Sequence, residues 1–134
     1  MIVLDTSAVL GFMQNEPGSE RVAAEILKGH ARICVVNLSE VLSKLADWGM
    51  DWPTTRAAVE KLALHADPFT QETALLAAQL RPLTRTAGLS LGDRACLAHA
   101  RIHQSPVLTG DRQWLEIADA VGVEVISFRP SAHG

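Results

Sequence analysis

The chain has 134 residues, with 12 basic and 15 acidic side chains and a formal net charge of -3. This length suits one domain, and a hydrophobic content of 48% is typical of a globular protein rather than a disordered one. The small acid excess excludes binding to nucleic acid or membrane through bulk positive charge. We therefore expect a single domain over residues 1–134.

The sequence pattern alternates short apolar runs with longer helical stretches. In chain order, it predicts a strand at residues 2–4, a helix at 19–28, a strand at 33–36, a helix from 37, helices at 53–65 and 70–80, a loop at 82–88, a helix at 90–103, a strand at 106–109, a helix at 111–121 and a strand at 123–128. Apolar strands that alternate with helices indicate a parallel sheet with helices on both faces, which is the α/β class.

The cysteines and the N-terminal segment bear on the cellular compartment. Cys34 and Cys96 lie in apolar or helical runs without CxxC spacing, which predicts buried thiols in a reducing environment. The first residues reach Asp5 without a basic segment, unlike a signal peptide. No apolar run approaches the roughly 20 residues that a membrane span requires. We expect a cytoplasmic protein that does not bind membranes.

Four acidic residues lie where the predicted strands end. Asp5 follows the first strand directly, Glu40 lies in the first turn of the helix after the second, Asp93 begins the helix before the third, and Asp111 follows the third. Open parallel sheets place their clefts at this edge. Carboxylates in one cleft repel one another unless a cation neutralises them. Oxygen-only ligands suit Mg²⁺ or Mn²⁺, which can activate water and hold a phosphate.

Each of these acids has an alternative role at a helix start. Two of them follow a polar residue with capping-box spacing, from Asn37 to Glu40 and from Ser90 to Asp93. The other two could cap the helices that follow them. Because a capping carboxylate can also bind a cation, both interpretations stay open.

Four segments together resemble the motifs of PIN domains, and in particular VapC-type ribonuclease toxins of bacterial toxin–antitoxin modules. They are residues 3–8, 37–41, 91–95 and 108–114, which read VLDTSA, NLSEV, LGDRA and LTGDRQW. The resemblance implies a Rossmann-like three-layer sandwich with a parallel sheet of about five strands. It also implies Mg²⁺- or Mn²⁺-dependent cleavage of an RNA such as a tRNA or rRNA, a cognate VapB-type antitoxin and usually a homodimer.

By motif position, the resemblance makes the four acids a catalytic and metal-binding quartet. Asp5 and Asp93 are expected to be the main ligands, with Asp111 ligating directly or through water. Glu40 would complete the shell or orient the attacking water.

Neighbouring polar side chains are expected to support this quartet. The hydroxyls of Thr6, Ser7 and Thr109 could hold a water or a phosphate oxygen, although ordinary turn hydrogen bonding also explains them. Phosphate contacts are expected from arginines at the cleft rim, with Arg112 the first choice. Several of five arginines could lie there, although most arginines of a soluble domain are solvated surface groups; the five are Arg81, Arg85, Arg94, Arg101 and Arg112.

His99 and His103 have the i, i+4 spacing of a zinc pair, but the segment between them lacks the Glu of an HExxH hydrolase. They also lie a quarter turn or more away from Asp93 around the helix. We expect two surface or half-buried histidines without a metal.

Other functions stay open at this stage. A receiver-like module could use Asp5 as a phosphoacceptor, although no lysine follows Lys61. A haloacid-dehalogenase-type phosphatase would need an Asp where the chain has Ser7. A catalytically silent PIN domain that binds RNA or an antitoxin is a further alternative. The helices around residues 38–65 could receive the antitoxin.

Overall fold

A computed structural model describes residues 1–130 of the chain. It has five strands and eight helices in that part. The strands are β1 (Ile2–Leu4), β2 (Ala31–Cys34), β3 (His65–Asp67), β4 (Val107–Thr109) and β5 (Val125–Ser127). The helices are α1 (Thr6–Met13), α2 (Glu20–Leu27), α3 (Val35–Asp47), α4 (Trp52–Glu60), α5 (Gln71–Gln79), α6 (Arg81–Thr84), α7 (Leu91–Ile102) and α8 (Trp114–Val121).

The five strands form one parallel sheet in the order β3-β2-β1-β4-β5. The chain builds outward from β1 to β2 and β3, and then crosses to the other side of β1 to add β4 and β5. The strand order therefore reverses between β1 and β4. In open parallel sheets, a cleft forms at the carboxyl ends of the strands on either side of such a point.

Helices cover both faces of the sheet because successive side chains of each strand point to opposite sides. Val3 and Val107 pack with the side chains of α5, α7 and α8, including the buried Trp114. Leu4 and Leu108 pack against the side chains of α1 to α4 on the other face. The predicted α/β class and the sheet of about five parallel strands are confirmed.

The sequence pattern missed three elements, α1, β3 and the short helix α6. Helix α1 carries apolar residues on most of its surface, so the segment lacks the one-sided period that identifies a helix. Strand β3 has only three residues, of which the sequence pattern places His65 at the end of the helix at 53–65 and assigns Ala66 and Asp67 to no element. That helix, α4, stops at Glu60 because the chain turns at Ala63, whose φ is 49°.

Smaller differences concern element ends. The second strand runs from residue 31 to 34 rather than from 33 to 36, because Val35 already begins α3. The predicted loop at 82–88 contains the end of the short helix α6.

Cys34 and Cys96 are buried free thiols, as predicted. Among residues 1–130, none of the helices combines the length and apolarity that crossing a membrane requires.

Candidate active site

The carboxyl ends of β1 and β4 place two of the predicted acids on either side of the cleft. Asp5 follows Leu4 directly, and its backbone N–H donates to the carbonyl of Leu108 at 3.3 Å. Asp111 follows β4 after one glycine, so it emerges at the same edge. These positions result from the parallel pairing of Leu4 with Leu108.

Asp5 is buried, with 5% of its surface exposed, and it caps helix α1 by accepting from the Ala8 N–H at 2.8 Å. The hydroxyl of Ser7 lies 2.8 Å from both carboxylate oxygens, and the hydroxyl of Thr109 donates to Oδ2 at 2.6 Å. Ser7 accepts from the Gly110 N–H and Thr109 accepts from the Asp111 N–H. Because these backbone donors occupy lone pairs of the hydroxyls, the hydroxyl protons are directed towards Asp5.

Burial dominates the ionisation of Asp5. It raises the pKa of this carboxyl to about 6, against the opposing hydrogen bonds from Thr109, Ser7 and Ala8, and the nearby Asp93 adds to the rise. A buried carboxylate is disfavoured because it loses hydration that hydrogen bonds only partly replace. Asp5 is therefore a carboxylate near neutral pH whose charge a bound cation would stabilise.

Glu40 is held from two sides by α1 and α3. Its Oε1 accepts from the Thr6 hydroxyl at 2.6 Å and from Asn37 Nδ2 at 3.0 Å. The same Asn37 amide nitrogen donates to the carbonyl of Gly92 at 3.0 Å, which joins α3 to the start of α7. A Cβ at Gly92 would lie 2.7 Å from Glu40 Cδ, so this glycine leaves the space that the carboxylate occupies.

Asp93 lies at the start of α7 and forms a reciprocal capping box with Ser90. Its carboxylate accepts from the Ser90 N–H at 3.0 Å, and its own N–H donates to the Ser90 hydroxyl at 3.2 Å. Burial raises the pKa of Asp93, the Ser90 hydrogen bonds lower it, and the charges of Glu40 and Asp111 raise it again. The charges of Glu40 and Asp111 thus act on Asp93, as expected for carboxylates at the same edge of the sheet.

The four carboxylates carry charge without a basic counterpart. Among residues 1–130, none of them forms a salt bridge with a Lys, Arg or His side chain. Nor do any three of them place oxygens within 4.8 Å of one another in that part of the chain. An all-oxygen set of this kind fits Mg²⁺ or Mn²⁺, since Mg²⁺ keeps several waters and needs only one or two direct carboxylates.

The comparison with family models decides the family. The model for "PIN domain" matches residues 2–120. The chain belongs to the PIN domain family. This match spans the segments that contain all four acids. No curated protein sequence gives a significant match.

Solved structures show the same PIN fold over nearly the whole chain. VapBC2 from Rickettsia felis, solved with a DNA fragment from its promoter, is 16% identical with a TM-score of 0.75, covering 95% of this chain and 98% of that one. A toxin–antitoxin complex from Klebsiella pneumoniae is 15% identical with a TM-score of 0.74, covering 98% and 100%. FitAcB from Neisseria gonorrhoeae is 23% identical with a TM-score of 0.70, covering 96% and 98%.

The capping interpretation holds for two of the acids of this PIN domain and fails for the other two. Asp5 and Asp93 cap α1 and α7. Glu40 does not cap α3, because that helix begins at residue 35 and Glu40 lies beyond its first turn, contrary to the prediction. Asp111 accepts from the Gln113 N–H at 3.0 Å in the turn before α8, and it is not the cap residue of that helix.

The predicted hydroxyls lie in the cleft, with Ser7 and Thr109 on Asp5 and Thr6 on Glu40. In this arrangement they bind carboxylates of the cleft, and the contacts of Thr6 and Thr109 are long-range rather than the turn hydrogen bonds that the sequence left open.

The candidate arginines differ in solvent exposure and in their hydrogen-bond partners. Arg85 and Arg112 are exposed, and Arg112 donates weakly to the backbone of Arg129 at 3.5 Å. Arg94 instead donates to the carbonyl of Ala77 at 3.1 Å, which ties α7 to α5. Arg81 donates to the carbonyl of Leu89 at 3.4 Å. Arg101 is near the opposite edge of the sheet, where it donates to the carbonyl of Val121 before β5, so it is not among the arginines at the cleft rim.

Two residues near the cleft were not assigned a site role from sequence. Asn37 was considered only as a helix cap, yet its buried side chain positions Glu40; the Asn-x-x-Glu spacing was the available signal. Arg129 follows β5, and its guanidinium is 2.9 Å from where a Cβ of Gly110 would lie. It pairs with Glu16 at 3.1 Å. No local pattern could identify Arg129, because β5 brings it beside the loop that carries Asp111.

The prediction for the histidine pair is correct for His103, which is exposed, and wrong for His99. The His99 side chain is 1% exposed, and its Nε2 lies 2.8 Å from Asp67 Oδ2. The sequence did not indicate this partner because β3 was missed.

Proposed function

We propose that this PIN domain is a Mg²⁺- or Mn²⁺-dependent endoribonuclease toxin of the VapC type. The observation that carries the proposal is the group of four carboxylates at the reversal of strand order, without a basic partner among residues 1–130. Membership of the PIN family supports it, because all four acids occupy the segments that resemble the family's motifs. The proposed catalytic and metal-binding residues are Asp5, Glu40, Asp93 and Asp111.

Structural relatives support a toxin–antitoxin setting. Besides the three structures described above, similar structures include VapBC from Salmonella typhimurium bound to DNA. By extension, we propose that a VapB-type antitoxin neutralises this chain and that the toxin acts as a homodimer in the cytoplasm. Size-exclusion chromatography with light scattering tests the homodimer, and the same measurement after co-expression with a VapB-type antitoxin tests the complex.

The geometry suggests separate tasks for the four acids. A bound divalent cation would neutralise the cleft and supply Lewis-acid stabilisation of a phosphodiester that reacts with water. Asp5 and Asp93 would hold the cation, because they are the carboxyls whose charge burial disfavours most clearly. Asp111 would contribute directly or through water from the facing loop.

Glu40 has one oxygen left for the reaction. Its Oε1 accepts from Thr6 and Asn37, which leaves Oε2 to accept a proton from the attacking water. Water oxygen would bond to phosphorus, the bond from phosphorus to the 3′ oxygen would break, and that oxygen would take up a proton. The products are a 5′-phosphate and a 3′-hydroxyl. Exposed Arg112 and Arg85 are the proposed phosphate contacts, whereas Arg94 would act by fixing α7.

The decisive experiment is RNA cleavage by purified protein with Mn²⁺ and with chelator. The wild type is expected to cleave only with the metal, and Asp5→Ala is expected to abolish cleavage while the circular dichroism spectrum is unchanged. Asp119→Ala is the matched control, since Asp119 is an exposed acid outside the cleft. Undiminished cleavage by the Asp5 variant refutes the assignment.

Two further assays define the function. Incubation with a phosphodonor separates a nuclease from a phosphoacceptor module, because only the latter would become labelled without cutting RNA. Sequencing the cut ends of cellular RNA after induction would identify the tRNA or rRNA target.

A further inference from the structure

A second group of metal-ligating side chains lies beside the sheet, formed by Asp67 of β3 and by His99 and His103 of α7. One ligand atom from each of these residues lies within 4.8 Å of the other two, and no other such group of three occurs within residues 1–130. The two imidazole rings are one helical turn apart, with centroids 4.6 Å apart. The third side chain comes from a distant part of the sequence, so the group exists only in the folded chain.

We propose that Asp67, His99 and His103 form a transition-metal site for Zn²⁺ or a similar borderline ion, separate from the carboxylate cleft. Zinc binds imidazole nitrogen at ~2.0–2.1 Å and carboxylate oxygen at ~2.0–2.2 Å, so neighbouring ligand atoms in a tetrahedral site lie roughly 3.3 Å apart. His99 Nε2 and Asp67 Oδ2 are already 2.8 Å apart. The change required is therefore a few tenths of an ångström plus rotation of the exposed His103 side chain.

The state of His99 suits a metal ligand. Its ring is buried with Nε2 towards Asp67, and burial lowers the pKa of this imidazole although the hydrogen bond and charge of Asp67 oppose the change. Its Nδ1 is buried and has no hydrogen-bond partner among residues 1–130. Since no donor occupies Nδ1, this nitrogen can carry the ring proton when Nε2 becomes the ligand.

Two neighbours of Asp67 set the strength and coordination of the site. His65 Nε2 lies 3.3 Å from Asp67 Oδ1, and its exposed side chain can rotate to supply a fourth ligand. Arg32 Nε lies 3.2 Å from Asp67 Oδ2, where its charge offsets that of the carboxylate. Arg32 Nε has no hydrogen-bond partner within the described residues, so this contact is an ion pair without hydrogen-bond geometry. We therefore expect affinity to depend mainly on the imidazoles.

Ligand chemistry separates this site from the cleft. His99 follows Asp93 by six residues on α7, which is about 9 Å along the helix axis. The cleft offers only oxygen ligands, which suit Mg²⁺ and Mn²⁺, whereas two imidazoles favour Zn²⁺, Co²⁺ or Ni²⁺. The proposal does not depend on nuclease activity.

The test is a Co²⁺ titration of the protein without a polyhistidine tag, followed by visible absorption. We expect one Co²⁺ per chain to give the intense bands of low-coordinate geometry and to be displaced by Zn²⁺, whereas Co²⁺ bound by the oxygen ligands of the cleft would give only weak octahedral bands. The His103→Gln variant should bind Co²⁺ more than about tenfold more weakly, since loss of a ligand costs at least as much as loss of a second-shell partner. Its metal-free thermal stability should equal that of the wild type, because His103 is exposed.

Controls make the result specific. The His30→Gln variant removes an exposed histidine outside the group and should bind like the wild type. Asp5→Asn should retain the Co²⁺ bands, because the cleft does not produce them. Identical isotherms for wild type and His103→Gln, or bands lost in Asp5→Asn instead, would overturn the proposal. His65→Gln tests the fourth ligand: weakened binding supports its role, and unchanged binding refutes that part.

Discussion

Replacing Asp5 with Asn should stabilise the metal-free protein relative to the wild type. The gain in the free energy of unfolding should be larger at neutral pH than in acid. The substitution keeps the shape of the side chain, removes its charge and replaces one acceptor oxygen with an NH2 donor. The Ala8 N–H can still donate to the amide oxygen, and the Ser7 and Thr109 hydroxyls can rotate to accept from the amide nitrogen. The main change is therefore removal of a buried carboxylate whose charge the fold disfavours.

The magnitude follows from the pKa of Asp5, which is raised from 3.8 to about 6 in the folded chain. Between these values the folded state binds more protons than the unfolded state, so Asp5 lowers stability as pH rises through this range, and the loss is complete above the folded pKa. A shift of roughly two units corresponds to about 3 kcal/mol. At about pH 4.5 the same equation gives a loss of only about 1 kcal/mol.

The assay is urea denaturation of both proteins in chelator at several pH values, followed by circular dichroism. Subtracting the wild-type free energy of unfolding from that of Asp5→Asn cancels titrations common to both. This difference should increase by about 2 kcal/mol between about pH 4.5 and about pH 7.5. A pH-independent difference would show that burial does not raise the pKa of Asp5, and the reasoning about the cleft's need for a cation would fail.

Three further predictions concern the same cleft. Mn²⁺ should raise the melting temperature of the wild type. The affinity of the protein for Mn²⁺ should weaken by up to about tenfold per pH unit below about pH 6, because Asp5 becomes protonated there. Calorimetry that shows a constant affinity across this range contradicts the prediction. Thr109→Val removes the 2.6 Å hydrogen bond to Asp5 and should lower the free energy of unfolding by about 1–2 kcal/mol, measured by urea denaturation. Ser43→Ala is the control, because it removes an exposed hydrogen bond and should be nearly neutral. Gly92→Ala should cost about 1–3 kcal/mol because its Cβ would meet the Glu40 carboxylate. Combining it with Glu40→Ala should recover most of that loss, and a purely additive double variant would show that the contact is not the cause.

The sequence predicted the elements whose signals are local. The apolar runs of β1 and β4 and the capping box from Ser90 to Asp93 each contain their own evidence, and each is present in the structure. The acids Asp5 and Asp111 could be placed at one sheet edge because parallel strands end together. Whether the four acids catalyse cleavage stays a proposal until the variants are measured.

Other features lacked a local signal. Strand β3 is a three-residue edge strand whose His65 and Asp67 do not look like a buried strand, and its omission concealed the partner of His99. Glu40 was misplaced within its helix because the capping-box spacing suggested a helix start two residues too late. Arg129 lies beside the Asp111 loop only through the pairing of β4 with β5.

The amino-acid sequence by itself determines the α/β class, the parallel sheet and the candidate acids. It can do so because hydrophobic periodicity and helix capping depend on residues that are close together in the sequence. It also shows a net charge of -3, from which bulk attraction to nucleic acid was excluded. Only the tertiary structure shows the four carboxylates together without a basic partner among residues 1–130, and Asp67 against His99. These arrangements depend on strand order, which determines the dielectric environment and the charges around each group.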